Sequence, residues 1–214
     1  MTWSFVDEAW RASGTPPACP TPLLQAPADL SLATSLLYPG QTRGGDYKSH
    51  GGFRFDRPGQ NNSLTVTAAM AATVYRGARY IENGEIQYLF DFIAECGVMI
   101  RLDHLRGLSA KFQTIADGLP AASTSSATTF ITGQSVAVGE MIATAVGFQN
   151  PLNVSFDFGV YDLRQRNPAT TTRTGELIPY GICWLDHMSA SNNALVRSLP
   201  PGDGVAGTTS DYCR

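Results

Sequence analysis

Apolar side chains alternate with small or polar ones in several short segments of this chain, and Gly or Asn turns separate the segments. Residues 63–69 and 72–77 alternate in this way, which is the pattern of half-buried β-strands. The dipeptide Asn83-Gly84 stands between two further apolar segments and is a strong signal for a two-residue hairpin. The sequence therefore predicts a mostly β fold, an antiparallel sheet or sandwich with little helix.

The same pattern continues towards the C-terminus. Residues 98–105, 134–147 and 152–158 are predicted to form strands. Strict alternation in the first of them would place every second side chain on one face. Those side chains are Val98, Ile100, Leu102 and His104. Near the end of the chain, a short helix is expected to start close to Asp186 or Ser189.

Length and composition limit the class of protein. A β chain of 214 residues fits one domain, and 43% hydrophobic with 15% charged residues describes a compact, ordered protein. The net charge of −3 and the scattered basic residues give no indication of a nucleic-acid partner. No apolar run approaches the roughly 20 residues of a membrane helix. The first eight residues lack the apolar segment of a signal peptide, so we expect either a cytosolic chain or a leader that is not present in this chain.

Prolines divide the chain into parts. Residues 1–35 are rich in proline and have few periodic apolar positions, which predicts an extended arm wrapped around a domain. Its expected anchors are Trp3, Phe5 and Trp10. We therefore divide the chain into an N-terminal arm (1–35), a β domain (36–165) and a cysteine-bearing C-terminal extension packed on that domain (166–214).

Four cysteines are spread along the chain without a Cys-x-x-Cys pair, which argues against a zinc knuckle. They are Cys19, Cys96, Cys183 and Cys213. An even number suits two disulfides, four free thiols being the alternative, and three connectivities are possible. We favour Cys183 with Cys213, because a tether stabilises a chain end that would otherwise fray. Disulfides would place the protein outside the cytoplasm, in the periplasm or secreted.

Three segments carry a resemblance to a known family: residues 49–56, 101–105 and 152–158. In order and spacing they resemble the signature motifs of the lysostaphin-type (LytM-like) zinc endopeptidases, which cut peptide cross-links in bacterial cell walls. The family's first motif is His, three residues, then Asp; its second has a His before Leu; its third is His-x-His-Phe-Glu. His50 and His104 match the first two motifs. The resemblance covers roughly residues 36–162 and implies the β core of that family.

Most of the metal ligands that the resemblance implies are substituted. Arg54 stands at the position of the Asp ligand, and Asn153 and Ser155 stand at the positions of the paired His ligands. A catalytic zinc needs three protein ligands, and a fixed cation at position 54 opposes a second positive charge. We therefore predict no cofactor and no bound zinc. His50 is the residual candidate for a metal ligand, and His104 is the residual candidate for a catalytic group.

The resemblance then implies a non-catalytic, peptidase-like domain that acts by binding in the bacterial cell envelope, with peptidoglycan or an envelope protein as partner. Six residues are expected to form its ligand-binding cleft. They are His50, Arg54, His104, Asn153, Ser155 and Asp157. Because alternate residues of a strand share a face, we expect Arg54 to occupy the vacated metal position. Its expected partner is Asp157, or Asn153 together with Ser155.

Two other functions are compatible with the sequence. One is an active cell-wall endopeptidase with a rebuilt metal site around His50, His104 and Asp157. The other is a structural subunit of the envelope or of a filament, with the N-terminal arm in its interface. No feature of the sequence specifies an oligomeric state.

Overall fold

The computed structural model describes residues 1–57, 61–170 and 172–213. It is a β-rich, sandwich-like fold with 39% of residues in strands and 14% in helices, so the predicted fold class is confirmed. The first eight strands are β1 (Trp3–Val6), β2 (Ala9–Ala12), β3 (Ser35–Leu37), β4 (Gln41–Arg43), β5 (Asp46–Lys48), β6 (Gly51–Arg54), β7 (Ser63–Thr67) and β8 (Ala72–Glu82). The others are β9 (Glu85–Ile93), β10 (Val98–Leu108), β11 (Thr129–Phe130), β12 (Ser135–Val136), β13 (Met141–Val146), β14 (Phe148–Gln149), β15 (Leu152–Asn153) and β16 (Ser155–Asp162).

Helices are short. The two α-helices are α1 (Ala110–Asp117) and α2 (Ala190–Arg197), and the 3-10 turns are Leu30–Leu32, Pro168–Thr170, Ile178–Tyr180 and Trp184–His187. The helix expected near Asp186 or Ser189 is α2. The Ser189 side chain caps its N-terminus by accepting a hydrogen bond from the backbone N–H of Asn192. Within the described part of the chain, no helix is both long and apolar enough to span a membrane.

Ten strands form one sheet, and each pair of neighbours in it is antiparallel. The order along the sheet is β11-β8-β9-β10-β16-β6-β3; β12 also pairs with β8, and β13 joins β10 to β7. Three small two-stranded units, β1-β2, β4-β5 and β14-β15, accompany it. The predicted strand over 134–147 is interrupted, because the chain turns at Gly139 (φ 76°) between β12 and β13.

The β8-β9 hairpin is the longest strand pair and turns where the sequence predicts it. Glu82 pairs with Glu85, and the two residues between them both have positive φ, 50° at Asn83 and 75° at Gly84. A two-residue turn with two positive φ angles matches the twist of the strands, and Asn-Gly adopts it at low cost. The local sequence therefore sets the register of this hairpin.

The main core lies on one face of the sheet and is built from all parts of the chain. The sheet contributes Phe53, Phe90, Leu102, Phe156 and Phe158, the arm contributes Leu24 and Leu30, α1 contributes Phe112, and the C-terminal extension contributes Trp184 and Val196. Each of these side chains is buried. The arm is thus part of the folded core, whereas the sequence predicted only a wrapping segment.

The opposite face of the sheet is covered at one end by a hairpin that the sequence did not predict. β1 and β2 turn at Asp7 and Glu8, whose φ angles are 49° and 59°. Neither residue is a strong hairpin signal, because Gly and Asn adopt positive φ more readily. The hairpin buries Trp3 and Trp10 in a second apolar cluster with Tyr161.

One disulfide ties the arm to the sheet, and a second closes the C-terminal extension. Cys19 is bonded to Cys96 across 77 residues, which fastens the arm to the turn between β9 and β10. Cys183 is bonded to Cys213 across 30 residues, the pairing favoured from the sequence. Disulfides persist in oxidising compartments. The two bonds therefore indicate an oxidising, extracytoplasmic environment.

A buried ion network joins three strands to the C-terminal extension. Asp91 of β9 is fully buried and accepts hydrogen bonds from Arg76 of β8 (2.6 Å) and from Arg101 of β10 (2.8 Å). Arg76 also donates to both carboxylate oxygens of Glu176 at 2.8 Å. Burial raises the pKa of Asp91, but the two guanidinium groups outweigh it and hold that pKa below its usual value. Each charged side chain in the network therefore lies beside one of opposite charge.

The substitution Asp91→Asn tests how much the fold depends on this network. The variant leaves Arg76 and Arg101 without their shared carboxylate, and losing one partner of a buried ion pair costs about 3–5 kcal/mol. We expect the free energy of unfolding, measured by urea titration, to fall by about that amount. The control is Asp117→Asn on the exposed face of α1, which should change it by less than about 0.5 kcal/mol. Equal effects of the two substitutions would contradict the assignment.

Candidate functional site

A polar cleft lies on the sheet face opposite the main core, where β6, β16 and β10 run side by side. Asp157 of β16 stands in register with Gly52 of β6 on one side and with Asp103 of β10 on the other. On β16 the alternate residues Phe156 and Phe158 face the main core. The pleat therefore directs Asp157 away from the core and into the cleft.

The double glycine before the cleft serves close strand packing. A Cβ on Gly51 would lie 2.2 Å from the carbonyl oxygen of Leu37, and a Cβ on Gly52 would lie 2.7 Å from that of Phe156. A double glycine can serve either a ligand cleft or a tight strand crossing. The contacts assign them to the crossing, because β6 is closely packed between its two neighbours.

Two imidazoles flank the Asp157 carboxylate. Oδ2 of Asp157 lies 3.0 Å from Nε2 of His50 and 3.7 Å from Nε2 of His104. Burial raises the pKa of Asp157, but His50, His104 and Arg43 lower it, and the net result is a pKa well below its usual range. Asp157 is therefore an anion at neutral pH, with His50, His104 and Arg43 around its carboxylate.

His104 is surrounded by acidic side chains on its other sides. Its Nδ1 lies 3.4 Å from the hydroxyl of Tyr80 and 3.8 Å from Glu82, and that hydroxyl donates to Oδ1 of Asp103 at 2.7 Å. Burial lowers the pKa of His104, but Asp103, Asp157 and Glu82 outweigh it and raise that pKa above 6.5. Burial also raises the pKa of Tyr80, and the Asp103 carboxylate adds to the effect. Tyr80 is thus a neutral donor to Asp103.

The predicted face of His104 is wrong, because a β-bulge interrupts β10. The pairing of β10 with β9 shifts register between Leu102 and Leu105, and His104 there has a φ of 60°. Both leucines point into the main core. The two residues between them, Asp103 and His104, therefore both project to the cleft face. Strict alternation would have buried His104 in the core.

The predicted partner of Arg54 is also wrong. Arg54 stands opposite Ser155 in the β6-β16 register, on the face that carries Asp157. Among the described residues, however, no side chain hydrogen-bonds to the guanidinium group of Arg54, and its Nε is buried without a partner. The imidazole of His50 takes the carboxylate of Asp157 instead. Arg54 lines a pocket that adjoins the cleft, together with Asn153.

The other two substituted positions are bonded to each other. The hydroxyl of Ser155 donates to Oδ1 of Asn153 at 2.6 Å. A buried side chain, Asn62, holds the backbone that leads into β16 by donating to the carbonyl oxygens of Val146 and Phe148, each at 2.8 Å. All six predicted cleft residues thus lie on neighbouring stretches of β6, β10, β15 and β16, but they divide into a His50-His104-Asp157 group and an Arg54-Asn153-Ser155 group.

Three residues of the site were missed from the sequence. Asp103 lies within the segment 101–105 and was passed over because only His104 of that segment matches the family's motif. Arg43 holds the chain before β6 by donating to the carbonyl oxygen of His50 at 3.0 Å. Tyr80 reaches the site from the end of β8. No local pattern marks Arg43 or Tyr80, because only the pairing of distant strands brings them close.

The cleft contains a group of side chains suited to a cation. Ligand atoms of Asp103, His104 and Asp157 all lie within 4.8 Å of one another. Two carboxylates and an imidazole are donors that divalent metals accept. Each carboxylate is already engaged, Asp103 with the hydroxyl of Tyr80 and Asp157 with His50. A cation there would have to compete with these contacts.

Comparison with protein-family models, with curated proteins and with solved structures found no match to this chain.

The charge coupling between His104 and Asp157 predicts a pH-dependent stability. The folded pKa of His104 is raised, so its contribution to stability is fully present below the unfolded pKa of 6.5 and is lost as pH rises through the folded pKa. In Asp157→Asn, one of the raising carboxylates is gone, and we expect the pKa of His104 to fall. Imidazole titration by NMR measures this pKa directly.

Two controls accompany this titration. Asp117→Asn, on exposed α1, should leave the pKa of His104 unchanged. His104→Asn removes the titrating ring, and Asn tolerates the positive φ at this position. From about pH 5.5 to about pH 8.5, it should therefore lose less unfolding free energy than the parent protein. A His104 pKa that is the same with and without Asp157 would refute the coupling.

Proposed function

We propose that this chain is a non-catalytic, peptidase-like domain of the LytM type that acts by binding peptidoglycan or a protein of the bacterial cell envelope. The observation that carries the proposal is the arrangement of the family's ligand positions. Arg54 and Ser155 are directly opposite in register, and Asn153 is hydrogen-bonded to Ser155. Positions that would bind one metal in the resembled family are therefore neighbours, but they carry groups that hydrogen-bond.

The contact between His50 and Asp157 also favours a binding function rather than metal catalysis. Its Nε2 is 3.0 Å from Asp157, so the nitrogen that would reach a metal is engaged with a carboxylate. Ser155 and Asn153 are poor zinc ligands compared with imidazole and thiolate. The cleft instead offers hydrogen-bond donors and acceptors that match the amides and carboxylates of peptides.

The compartment agrees with this partner. The two disulfides indicate an oxidising, extracytoplasmic environment. Within it, we assign the chain to the periplasm or to the secreted proteins, where peptidoglycan and envelope proteins are accessible.

An active cell-wall endopeptidase is the second candidate. What favours it is the group formed by Asp103, His104 and Asp157, whose ligand atoms lie within 4.8 Å of one another. A metal bound there would leave the imidazole of His50 beside it. Such an enzyme would lose its activity when a chelator removes the metal.

Sedimentation with purified sacculi, combined with a zymogram, separates the two functions. We expect retention on the sacculi without clearing of the zymogram. His104→Asn should weaken retention roughly tenfold, because it removes the ring beside Asp157 that fixes the cleft, and an interaction with a charged group contributes about 1.5–3 kcal/mol. Clearing that a chelator abolishes would instead establish the enzyme, and absence of retention would contradict binding to peptidoglycan.

The matched control for retention is His187→Asn. His187 belongs to the turn Trp184–His187, whose Trp184 lies in the main core on the other face of the sheet. The same chemical change away from the cleft should leave retention unchanged. A loss as large as that of His104→Asn would show that neither substitution reports on the cleft.

Restoring the family's ligands tests the resemblance itself. The triple variant Arg54→Asp, Asn153→His, Ser155→His returns an imidazole or carboxylate to each substituted position beside His50. Because positions 54 and 155 are directly opposite, their new side chains should converge on one ion. We expect the variant to bind zinc, measured by elemental analysis after gel filtration, whereas the parent does not.

A fourth substitution supplies the control. Adding His50→Asn to the triple variant should remove the gained zinc, because it removes the one ligand that the parent chain retains. Stoichiometric zinc in the parent protein would contradict the proposal. A folded triple variant that binds no more zinc than the parent would contradict the resemblance.

A further inference from the structure

A pocket beside the cleft carries two arginines. It has a volume of about 320 Å³ and is lined by Arg54, Asp56, Arg57, Leu152 and Asn153. This volume lies at the lower end of the range for ligand sites, about 300–1,000 Å³. Arg54 and Asn153 also belong to the row of substituted ligand positions. The pocket is therefore an extension of the cleft.

The guanidinium groups in this pocket have unused donors. Nε of Arg54 is buried, and within the described residues it has no hydrogen-bond partner. Arg57 donates one hydrogen bond, from Nη2 to the carbonyl oxygen of Ser31 at 3.2 Å. An arginine has five N–H donors and stays charged at all accessible pH values. Both side chains thus retain donors and charge for a ligand.

The one carboxylate that lines the pocket is already engaged with the backbone. Oδ1 of Asp56 accepts a hydrogen bond from the N–H of Val154 at 2.8 Å. Among the described residues it forms no ion pair with Arg54 or Arg57. Among the lining side chains, two guanidinium groups and one carboxylate leave a net charge of +1, while Asp203 and Asp29 interact with Arg54 and Arg57 from outside the lining. A singly charged anion offsets that charge, whereas a doubly charged phosphate would exceed it.

The remaining lining residues indicate what carries the anion. Asn153 uses Oδ1 to accept from Ser155, and its amide nitrogen donates to no described residue, so that nitrogen is open to the carbonyl of a ligand. Leu152 is 49% exposed and offers an apolar surface beside it. A carboxylate next to an amide bond and an apolar side chain is the end of a peptide.

We infer that Arg54 and Arg57 form a subsite for the free carboxylate of a peptide, with the amide of Asn153 bonded to the adjoining peptide carbonyl. Arginine suits this task because its planar fork binds a carboxylate through two parallel hydrogen bonds. The inference deepens the proposed function and rests on it, since it names the group by which the cleft holds a cell-wall or protein peptide. It also gives Arg54 the acceptor that Asp157 does not supply.

The test is a titration of the ¹⁵N-labelled protein with N-acetyl-alanyl-alanine, followed through the backbone amide signals of residues 54, 57 and 153. The free peptide acid should shift these signals, and the same peptide with an amidated C-terminus should bind roughly tenfold more weakly or worse. Arg54→Gln and Arg57→Gln should each weaken binding of the acid by a similar factor. Unchanged affinity in both variants would overturn the subsite.

Two controls make the result specific. Arg11→Gln, at an exposed position of β2, removes the same charge elsewhere and should leave the affinity unchanged. Inorganic phosphate should bind more weakly than the peptide acid; equal or tighter binding of phosphate would show a general anion site and would overturn the assignment to peptides. Spectra of the variants that match the parent outside the pocket establish that they are folded.

The subsite and the proposed function can fail separately. If sacculi retain the parent and the Arg54→Gln, Arg57→Gln double variant equally, the subsite is wrong and binding to peptidoglycan stands. If sacculi do not retain the parent but the peptide acid shifts the pocket signals, the subsite is right and peptidoglycan is the wrong partner. Shifts caused equally by the acid and the amide would reject recognition of the carboxylate.

Discussion

Two carboxylates, Asp103 and Asp157, face each other across neighbouring strands, and the arrangement of the cleft depends on how their repulsion is offset. Like charges directly opposite in a sheet are destabilising. Here the bulge in β10 brings His104 to the same face, with its ring between acidic groups. His50 approaches Asp157 from the other side. The bulge thus places His104 beside the two carboxylates, which reduces their repulsion in the register of β10 and β16. Both flanking leucines stay in the core.

The same face of the sheet carries a second ionic network, which is more deeply buried. Asp91 is fully buried beneath the β1-β2 hairpin and the segment around Glu176, whereas the side chain of Asp157 keeps 19% of its exposure. Both carboxylates are flanked by two cationic or titratable groups. The covered network uses arginines, which hold a fixed charge, and the open one uses histidines, which titrate. Coverage by the N-terminal hairpin therefore separates a structural end of this face from an accessible one.

Sequence patterns predict the local features of this fold well and its cross-strand contacts poorly. The Asn83-Gly84 hairpin and the helix that follows Ser189 depend on neighbouring residues, and both occur as predicted. The face of His104 was mispredicted because a bulge breaks the period of two. The partner of Arg54 was mispredicted because His50, four residues earlier in the chain, contacts the carboxylate of Asp157 instead. The pairing of β6 with β16 and of β16 with β10 brings these residues close to one another, but no sequence pattern indicates which of their side chains bond.

The groups that can offset negative charge along this cleft are distributed over several side chains. His50 and His104 offset Asp157, while Arg54 and Arg57 carry an excess of charge a short distance along the same strands. The two groups differ in what they leave free. The imidazoles are used by the protein's own carboxylates, so they fix the cleft and have little affinity left for an added anion. Within residues 1–57, 61–170 and 172–213, the guanidinium groups of Arg54 and Arg57 hydrogen-bond to no carboxylate, and a buried donor without an acceptor is costly. A charged group without a partner in an accessible pocket is available for a ligand. The geometry therefore separates the histidine part of the cleft, which the protein's own contacts hold in place, from the arginine part, which can bind a ligand.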